Sequence, residues 1–149
     1  YDKIIIMTDA DVDGAHIASL LITFFYQEMP ELIRGGHLFL GVPPLYKITQ
    51  GGKSVYARND AHKDELIATL FSGRGKIEIN RFKGLGEMNA EQLKVTTMDP
   101  KKRTLLKVGI ATDDIAPTQQ AVDDLMGVKP EARFRLIQER AEFVTELDI

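Results

Sequence analysis

A short apolar run that ends in alternating carboxylates constrains this chain more than any other feature. The run Ile4–Met7 is followed by Asp9, Asp11 and Asp13, and then by Gly14. An apolar run of this length, rich in β-branched residues, predicts a strand buried on both faces, as in a parallel sheet. Because open α/β sheets form their sites beyond the carboxyl ends of strands, the three aspartates stand where a functional site is expected.

The three aspartates predict a site for a hard cation. If the backbone stays extended, Asp9, Asp11 and Asp13 project to one side, with neighbours about 6.6 Å apart. At an effective dielectric constant of about 20, each neighbouring pair then repels by roughly 2–3 kcal/mol. Magnesium among the oxygens would offset this repulsion, since it is held by a few carboxylates together with waters and phosphates. A solvated acidic turn fits poorly beside so apolar a strand.

Two other families place carboxylates in a similar pattern. The aspartates and Gly14 match the first, third, fifth and sixth positions of an EF-hand loop, but Leu20 stands where that loop needs a glutamate. A magnesium-dependent phosphatase of the haloacid-dehalogenase type also has Asp-x-Asp after an apolar strand. Asp113 and Asp114 would supply its later acidic pair, so this phosphatase is kept as the alternative hypothesis.

Composition and charge distribution restrict the classes of function. The chain has 149 residues and a formal net charge of −3. It has no cysteine, and this excludes disulfides and thiolate metal sites. Residues 73–110 nevertheless hold nine basic and four acidic residues, so this segment is where a polyanion would dock. No apolar run reaches transmembrane length, and no membrane partner is expected. The start at Tyr1, without methionine, suggests a fragment of a longer polypeptide.

The first third of the chain reads as a βαβ unit. A helix is predicted after Gly14, with Asp13 as its N-cap and an inward apolar stripe. This stripe comprises Ile17, Leu20, Leu21, Phe24, Phe25, Met29, Leu32 and Ile33. Pro30 and Gly35-Gly36 are expected to end the helix, and residues 37–42 form the next strand. His16, in the first turn, is either a phosphate contact or an ordinary polar residue.

The middle of the chain alternates short strands and helices. Gly51-Gly52 predicts a hairpin turn, and Asn59 or Asp60 is expected to cap a helix that carries a solvent-facing His62. A strand over residues 76–82 is followed by a loop in which two glycines allow a partner to approach the backbone closely. Asp99-Pro100 is typical of a helix start, with a basic face after it.

The last part is predicted to be helical and to serve packing or interaction. One helix ends at Gly127, and a second runs from Pro130 to about Leu147 with Phe134, Ile137, Ala141 and Val144 on one face. The predicted fold class is therefore α/β: half of a Rossmann-like parallel sheet over residues 1–50, and a smaller mixed unit over 51–110. A mainly helical tail over 111–149 completes the predicted division.

Five ordered blocks carry a resemblance to a known family: Ile6–Ile17, Gln27–Ile33, Pro43–Tyr46, Arg81–Met88 and Thr97–Pro100. Together they resemble the C-terminal part of the B subunits of bacterial type IIA topoisomerases, and the likeness spans the whole chain. The final residues 146–149 resemble the C-terminus of such subunits. The absence of a long insertion before the Lys-Gly-Leu-Gly block, with the sequence of residues 50–75, favours topoisomerase IV over gyrase.

The resemblance implies a Toprim domain that supports DNA cleavage. Asp9, Asp11 and Asp13 would hold Mg²⁺, with Asp9 and Asp11 catalytic, while the attacking tyrosine belongs to a partner A subunit in an A2B2 heterotetramer. The substrate would be double-stranded DNA in the cytoplasm, at the nucleoid. The expected contacts with DNA or the partner are His16, Arg81, Lys83, Gly84, Gly86, Lys101, Lys102 and Arg103.

The same resemblance implies that this chain holds an incomplete site. The family also uses a glutamate on an earlier strand, upstream of Tyr1, and an ATPase domain that the 149 residues do not include. We therefore expect the isolated chain to bind magnesium weakly and to cleave no DNA.

Overall fold

The computed structural model describes residues 1–71, 75–111 and 114–143. Within these ranges the strands, in chain order, are β1 (Ile4–Ile6), β2 (Leu38–Val42), β3 (Tyr46–Gln50), β4 (Lys53–Ala57), β5 (Glu78–Arg81) and β6 (Thr104–Lys107). The α-helices are α1 (Val12–Glu28), α2 (Pro30–Arg34), α3 (Asp60–Leu70), α4 (Ala90–Leu93), α5 (Ile115–Met126) and α6 (Glu131–Arg140). Turns of 3₁₀-helix cover Leu85–Glu87 and Ala141–Phe143, and a π-helical turn covers Lys94–Met98.

The first sheet has the strand order β1-β2-β6. β1 and β2 pair in parallel, with Ile4 opposite Leu38, which forms the expected βαβ unit around α1. β6 pairs with β2 in the antiparallel direction, with Val42 opposite Thr104. The predicted α/β class is therefore confirmed, and the sheet is mixed because an antiparallel strand completes the parallel pair.

The core of the first sheet is built by Ile6, Ala18, Ile33 and Leu38, with Leu38 fully buried. The prediction that the first strand is buried on both faces is wrong, because only Ile6 of β1 is buried. Ile4 and Ile5 are half-buried, and within the described ranges β1 is an edge strand that pairs with β2 alone.

Helix α1 begins earlier than predicted, and its N-cap is Asp11 in place of Asp13. The Asp11 side chain accepts a hydrogen bond from the Gly14 backbone N–H at 2.7 Å, so Asp13 already lies in the first helical turn. The aspartates therefore do not continue β1 as an extended segment. As expected, the helix stops before Pro30, which is the first residue of α2.

The buried face of α1 also differs from the predicted stripe. Gly14 and Ala18 are its buried residues, whereas the predicted core residues Ile17, Leu20, Leu21 and Phe24 are exposed, as is Met29 at the helix end; Ile33, in α2, is buried. Small residues face the sheet because the end of β1 approaches the helix backbone closely at Gly14.

The second sheet has the order β4-β3-β5 and is antiparallel throughout. The predicted hairpin turn is confirmed, with positive φ angles of 55° at Gly51 and 82° at Gly52 that favour glycine. Asn59 caps α3 by accepting the His62 backbone N–H at 2.9 Å, as expected. The core under this sheet is formed by Tyr46, Ile48, Ala57 and Phe71.

The two sheets do not follow the predicted boundaries at residues 50 and 110. The division of the chain into three parts stays a prediction. β3 precedes residue 51 but pairs within the second sheet, and β6 precedes residue 111 but completes the first sheet. The helix predicted at Asp99-Pro100 is wrong. The Asp99 side chain accepts the Lys101 N–H at 2.9 Å and its carbonyl accepts the Arg103 N–H at 2.8 Å, so a turn leads directly into β6.

The tail contains the two predicted helices, α5 and α6, and α5 ends at Gly127 as expected. The Tyr26 hydroxyl donates to the Gln119 side chain at 2.9 Å, which joins α1 to α5. The predicted end of the second helix near Leu147, with Val144 and residues 146–149, lies outside the described residues. No helix within the described ranges is long and apolar enough to cross a membrane.

Candidate functional site

Asp9 lies just beyond the end of β1 and is held between two glycines. Its Oδ1 accepts the Leu85 backbone N–H at 2.7 Å. A Cβ atom placed on Gly84 would lie 2.8 Å from the Asp9 Cγ, and one placed on Gly14 would overlap the Asp9 carbonyl oxygen. Neither position leaves room for a side chain, so glycine at both lets the backbone pack around Asp9.

Asp11 and Asp13 take different roles at the start of α1. Asp11 Oδ1 accepts the Gly14 N–H, which satisfies one of the helix's unpaired donors, while Asp13 is exposed within the first turn. A carboxylate near a helix N-terminus is also favoured by the helix dipole. Both aspartates are therefore compatible with the fold of the helix before any ligand is considered.

Asp9 and Asp11 line one open cavity of about 380 Å³ at the end of the first sheet. The cavity also contacts Thr8, Gly41 and Arg58, whereas Asp13 and His16 are not among its lining residues. In the described part of the chain, the second carboxylate oxygen of Asp9 and of Asp11 has no hydrogen-bond partner. Two aspartates thus line one cavity, and one carboxylate oxygen of each is not used by the hydrogen bonds of the fold.

The acidic residues fit magnesium in their chemistry, but they are arranged as a pair. Magnesium commonly takes one or two protein carboxylates and completes its shell with waters and phosphate oxygens, and Asp9 with Asp11 meets that requirement. Nowhere in residues 1–71, 75–111 and 114–143 do three His, Cys, Asp or Glu side chains form a group able to hold a metal. The predicted trio that includes Asp13 therefore stays a prediction.

The segment after β5 contacts Asp9 through its backbone and directs its charges outward. Arg81 and Lys83 are exposed, and the Lys83 N–H donates to the Glu87 carboxylate at 2.7 Å. Phe82 and Met88 are buried and anchor the segment on either side. The predicted close approach at Gly84 is therefore made by Asp9 of the same chain. A Cβ atom on Gly86 would meet nothing within 4 Å.

The remaining predicted contact residues lie at two separate places. His16 is exposed on α1, outside the Asp9–Asp11 cavity. Lys101 and Lys102 are exposed in the turn before β6, and the half-buried Arg103 donates from its guanidinium to the Met98 carbonyl at 3.4 Å. Lys102 and His62 line a second cavity. His62 was predicted to face solvent, and this prediction is wrong because its side chain is half-buried.

Arg58 is a site residue that the sequence did not indicate. It follows β4 and lines both the Asp9–Asp11 cavity and the second cavity. A lone arginine after a short strand has no distinctive spacing, so only the packing of the two sheets identifies it. The contact of Gly84 with Asp9 was missed for the same reason, because the two residues are far apart in sequence.

Tyr46 is packed in the core of the second sheet, as predicted. It is buried, its hydroxyl donates to Asp60 Oδ1 at 2.9 Å, and the Lys63 ammonium lies 4.9 Å from the centre of its ring. Lys63 also donates to Asp60 at 2.7 Å. These two hydrogen bonds, that from Lys63 first and that from Tyr46 second, lower the pKa of Asp60 below its ordinary value.

Two family models match this chain. Residues 1–40 match the Toprim domain, and residues 74–138 match the carboxyl terminus of the DNA gyrase B subunit. The fold and these two segments define the class: a Toprim α/β unit joined to the C-terminal segment of a type II topoisomerase subunit. Neither match favours the phosphatase alternative, whose proposed acidic pair includes Asp113, outside the described residues.

Relatives at high identity cover the chain completely. The B subunit of DNA topoisomerase 4 from Bartonella bacilliformis is 70% identical over 149 residues, and that from Caulobacter vibrioides is 67% identical over 150 residues. The B subunit of DNA gyrase from Clostridium acetobutylicum is 48% identical over 149 residues. Each match covers 100% of this chain, but it covers only 22%, 21% and 23% of the respective relatives.

The predicted resemblance is therefore confirmed: the chain is similar along its whole length to the B subunits of bacterial type IIA topoisomerases. It is more similar to these two topoisomerase IV subunits than to this gyrase subunit. Because the chain spans about a fifth of the length of these relatives, the activity of a whole subunit is a matter for proposal.

Proposed function

We propose that this chain is the magnesium-binding part of a topoisomerase B subunit that supports cleavage and religation of double-stranded DNA. The observation that carries the proposal is the convergence of Asp9 and Asp11 on one cavity at the end of β1. The proposal includes a partner A subunit that supplies the tyrosine, in an A2B2 assembly acting on DNA at the nucleoid. ATP hydrolysis is assigned to another part of the subunit.

In this proposal the two carboxylates hold Mg²⁺, and Asp13 remains a predicted third ligand. When bound, the ion would supply positive charge to the phosphate oxygens and the leaving 3′-oxygen during cleavage. Leu85 keeps the Asp9 carboxylate in place through its N–H, and residue 84 has to be glycine because a Cβ atom there would lie 2.8 Å from the Asp9 Cγ. Arg58, on the cavity wall, would bind and orient the DNA phosphate.

The surrounding basic residues would position DNA or the partner subunit. Arg81 and Lys83 are exposed next to the segment that contacts Asp9, which supports a contact with the backbone of the same DNA. Phosphate contacts fix the position of a duplex and make its binding depend on salt. Gly86, His16 and the Lys101–Arg103 turn are kept as predicted contacts, and the division at residues 50 and 110 is kept as a proposal.

The test uses the complete subunit with its A-subunit partner and carries Asp9→Asn or Asp11→Asn. Asparagine keeps an acceptor for the Leu85 N–H at residue 9 and remains a good N-cap at residue 11, so the fold is preserved while the charge is lost. We expect relaxation and decatenation to fall by at least about tenfold, since charge stabilisation at the reacting phosphate is lost. The control Asp64→Asn removes an exposed charge from α3.

Intact activity in both variants would contradict the metal role and would favour a structural or assembly role. The phosphatase alternative is tested with the 149-residue chain, magnesium and p-nitrophenyl phosphate. The proposal predicts no turnover of this compound and no DNA cleavage by the isolated chain, and robust hydrolysis would overturn it.

A further inference from the structure

A second cavity lies next to the Asp9–Asp11 cavity, and its lining is basic. Its volume is about 320 Å³, and it lies between the second sheet and residues 95–104. We call it the basic pocket and define it by its polar lining residues: Tyr56, Arg58, His62, Thr96, Lys102 and Thr104. Arg58 and Val42 line both cavities, so the two spaces are neighbours.

No acidic residue of the pocket's own lining balances its positive charges, although Arg58 also lines the neighbouring Asp9–Asp11 cavity. The lining of the basic pocket contains no Asp or Glu. In the described ranges neither Arg58 nor Lys102 forms a salt bridge with a carboxylate. Two cationic side chains that face one cavity repel each other, and an anion between them would reverse the sign of that interaction. The pocket therefore favours a negatively charged ligand.

The hydrogen-bonding groups of the pocket are mainly donors. His62 Nδ1 accepts the Arg58 backbone N–H at 3.3 Å, which leaves Nε2 to carry the proton of the neutral ring. Within the part of the chain that the structure describes, the hydroxyls of Tyr56 and Thr104 have no hydrogen-bond partner. Thr96 is already engaged, since its hydroxyl donates to the Gln92 carbonyl at 2.7 Å. Guanidinium, ammonium, imidazole and hydroxyl donors are the set that binds phosphate oxygens.

We propose that the basic pocket binds a phosphate group, either of a nucleic-acid backbone or of a small phosphate compound, without a metal ion. Its volume lies at the lower end of the range of about 300–1,000 Å³ that is typical of ligand pockets. It has room for one phosphate with an attached sugar-sized group. For a nucleic-acid phosphate the inference rests on the proposed function, which already gives Arg58 and the Lys101–Arg103 turn contacts with DNA. A small phosphate compound would be a ligand beyond that function.

The test is an NMR titration of the ¹⁵N-labelled 149-residue chain in EDTA at constant ionic strength. Inorganic phosphate is added in one series and a short DNA duplex in another. The constant ionic strength keeps screening by salt equal in both series. We expect saturating shifts at the amides of Arg58, His62 and Lys102. Saturation by the duplex alone or by phosphate alone identifies the source of the phosphate, and either result supports the pocket.

Variants separate the pocket from general surface charge. Arg58→Gln and Lys102→Gln should each weaken binding by about tenfold or more, because a charge-assisted hydrogen bond is lost. Lys94→Gln is the matched control, since Lys94 is exposed in the same segment and does not line the pocket; it should change binding less than about twofold. Arg58→Lys should give an intermediate value, because it keeps the charge without the planar fork.

The proposal is overturned if the shifts are spread over exposed lysines, or if Lys94→Gln weakens binding as much as Lys102→Gln. The thermal transition of each variant checks folding, and Lys102→Gln, in an exposed turn, carries the test if Arg58→Gln does not fold. The Asp9→Asn chain keeps the two proposals distinguishable: unchanged divalent-ion binding would count against the magnesium proposal alone, and absence of phosphate binding in the wild-type chain would count against this one alone.

Discussion

The position of Asp9 is set by residues from two parts of the sequence, the start of α1 and the segment after β5. Gly14 packs against its carbonyl, Gly84 packs against its carboxyl group, and Leu85 donates to one carboxylate oxygen. A backbone donor to a carboxylate makes a charge-assisted hydrogen bond, which is stronger than a neutral one. Asp9 is therefore fixed before a ligand arrives, which is the condition for a preorganised site.

Gly84→Ala tests this packing at the level of one methyl group. The new Cβ would lie 2.9 Å from Asp9 Oδ1, so either the carboxylate or the segment must move. We expect a loss of stability of about 1–3 kcal/mol, as for an overpacked site, measured by denaturant unfolding. The matched variant Gly86→Ala meets nothing within 4 Å and should leave stability within about 0.5 kcal/mol. Equal losses in both variants would contradict the account.

Asp11→Ala tests the capping role separately from the role in ligand binding. Loss of the side-chain bond to the Gly14 N–H should destabilise the chain by about 1 kcal/mol. Asp11→Asn should retain nearly all of that stability, because asparagine caps helices as well as aspartate does. Chemical denaturation measures both variants, and an Asp11→Asn chain as unstable as Asp11→Ala would show that the charge, and not the cap, stabilises α1.

At the level of elements, the hydrogen bonds of Asp60 join the second sheet to α3. Tyr46, in β3, and Lys63, in α3, both donate to the same carboxylate oxygen. The Lys63 ammonium also lies over the Tyr46 ring, a cation–π arrangement. The exposed carboxylate of Asp60 thus connects β3, the central strand of the second sheet, with helix α3.

The lowered pKa of Asp60 predicts how this connection responds to acid. Because the pKa in the folded chain lies below the ordinary value of 3.8, the carboxylate stabilises the fold above that value. The contribution is lost as the pH falls through the folded-state pKa. We therefore expect the stability difference between the wild-type chain and Asp60→Asn to be largest near neutral pH and to shrink below pH 3.8. Urea unfolding across this pH range measures it.

Tyr46→Phe provides the control for the Asp60 prediction. It removes one of the two hydrogen bonds to Asp60 and keeps the ring beneath Lys63, so it should remove only part of the pH dependence. A wild-type chain whose stability difference from Asp60→Asn does not change between neutral pH and the acid limit would show that the ionised carboxylate contributes nothing.

Local sequence signals predicted the elements whose causes are themselves local. The positive φ angles at Gly51-Gly52, the Asn59 cap and the break before Pro30 each depend on a few neighbouring residues. The helix predicted at Asp99-Pro100 failed because β6 pairs with β2 directly after the turn, and that pairing is long-range. Local helix propensity gave way to sheet pairing, which a single sequence does not reveal.

The candidate site shows the same limit at the scale of the whole molecule. The strand and the carboxylates that follow it could be read from the sequence, because an apolar run followed by carboxylates is a local pattern; their role as the centre of a site stays a prediction. The partners of Asp9 at Gly84 and Leu85, and the shared wall residue Arg58, depend on how the two sheets pack together. The spacing of the aspartates predicts a trio, which stays a prediction, and the fold places Asp9 and Asp11, but not Asp13, on the lining of one cavity.

The most direct test of the central claim is a titration of the ¹⁵N-labelled chain with Mn²⁺, which broadens NMR signals near a bound ion. We expect selective broadening of the amides around Asp9 and Asp11, lost in Asp9→Asn and in Asp11→Asn and retained in Asp64→Asn. A smaller effect of Asp13→Asn would agree with the pair that the fold brings together. Uniform broadening of exposed carboxylates, or none near the end of β1, would contradict the claim that Asp9 and Asp11 form a divalent-ion site.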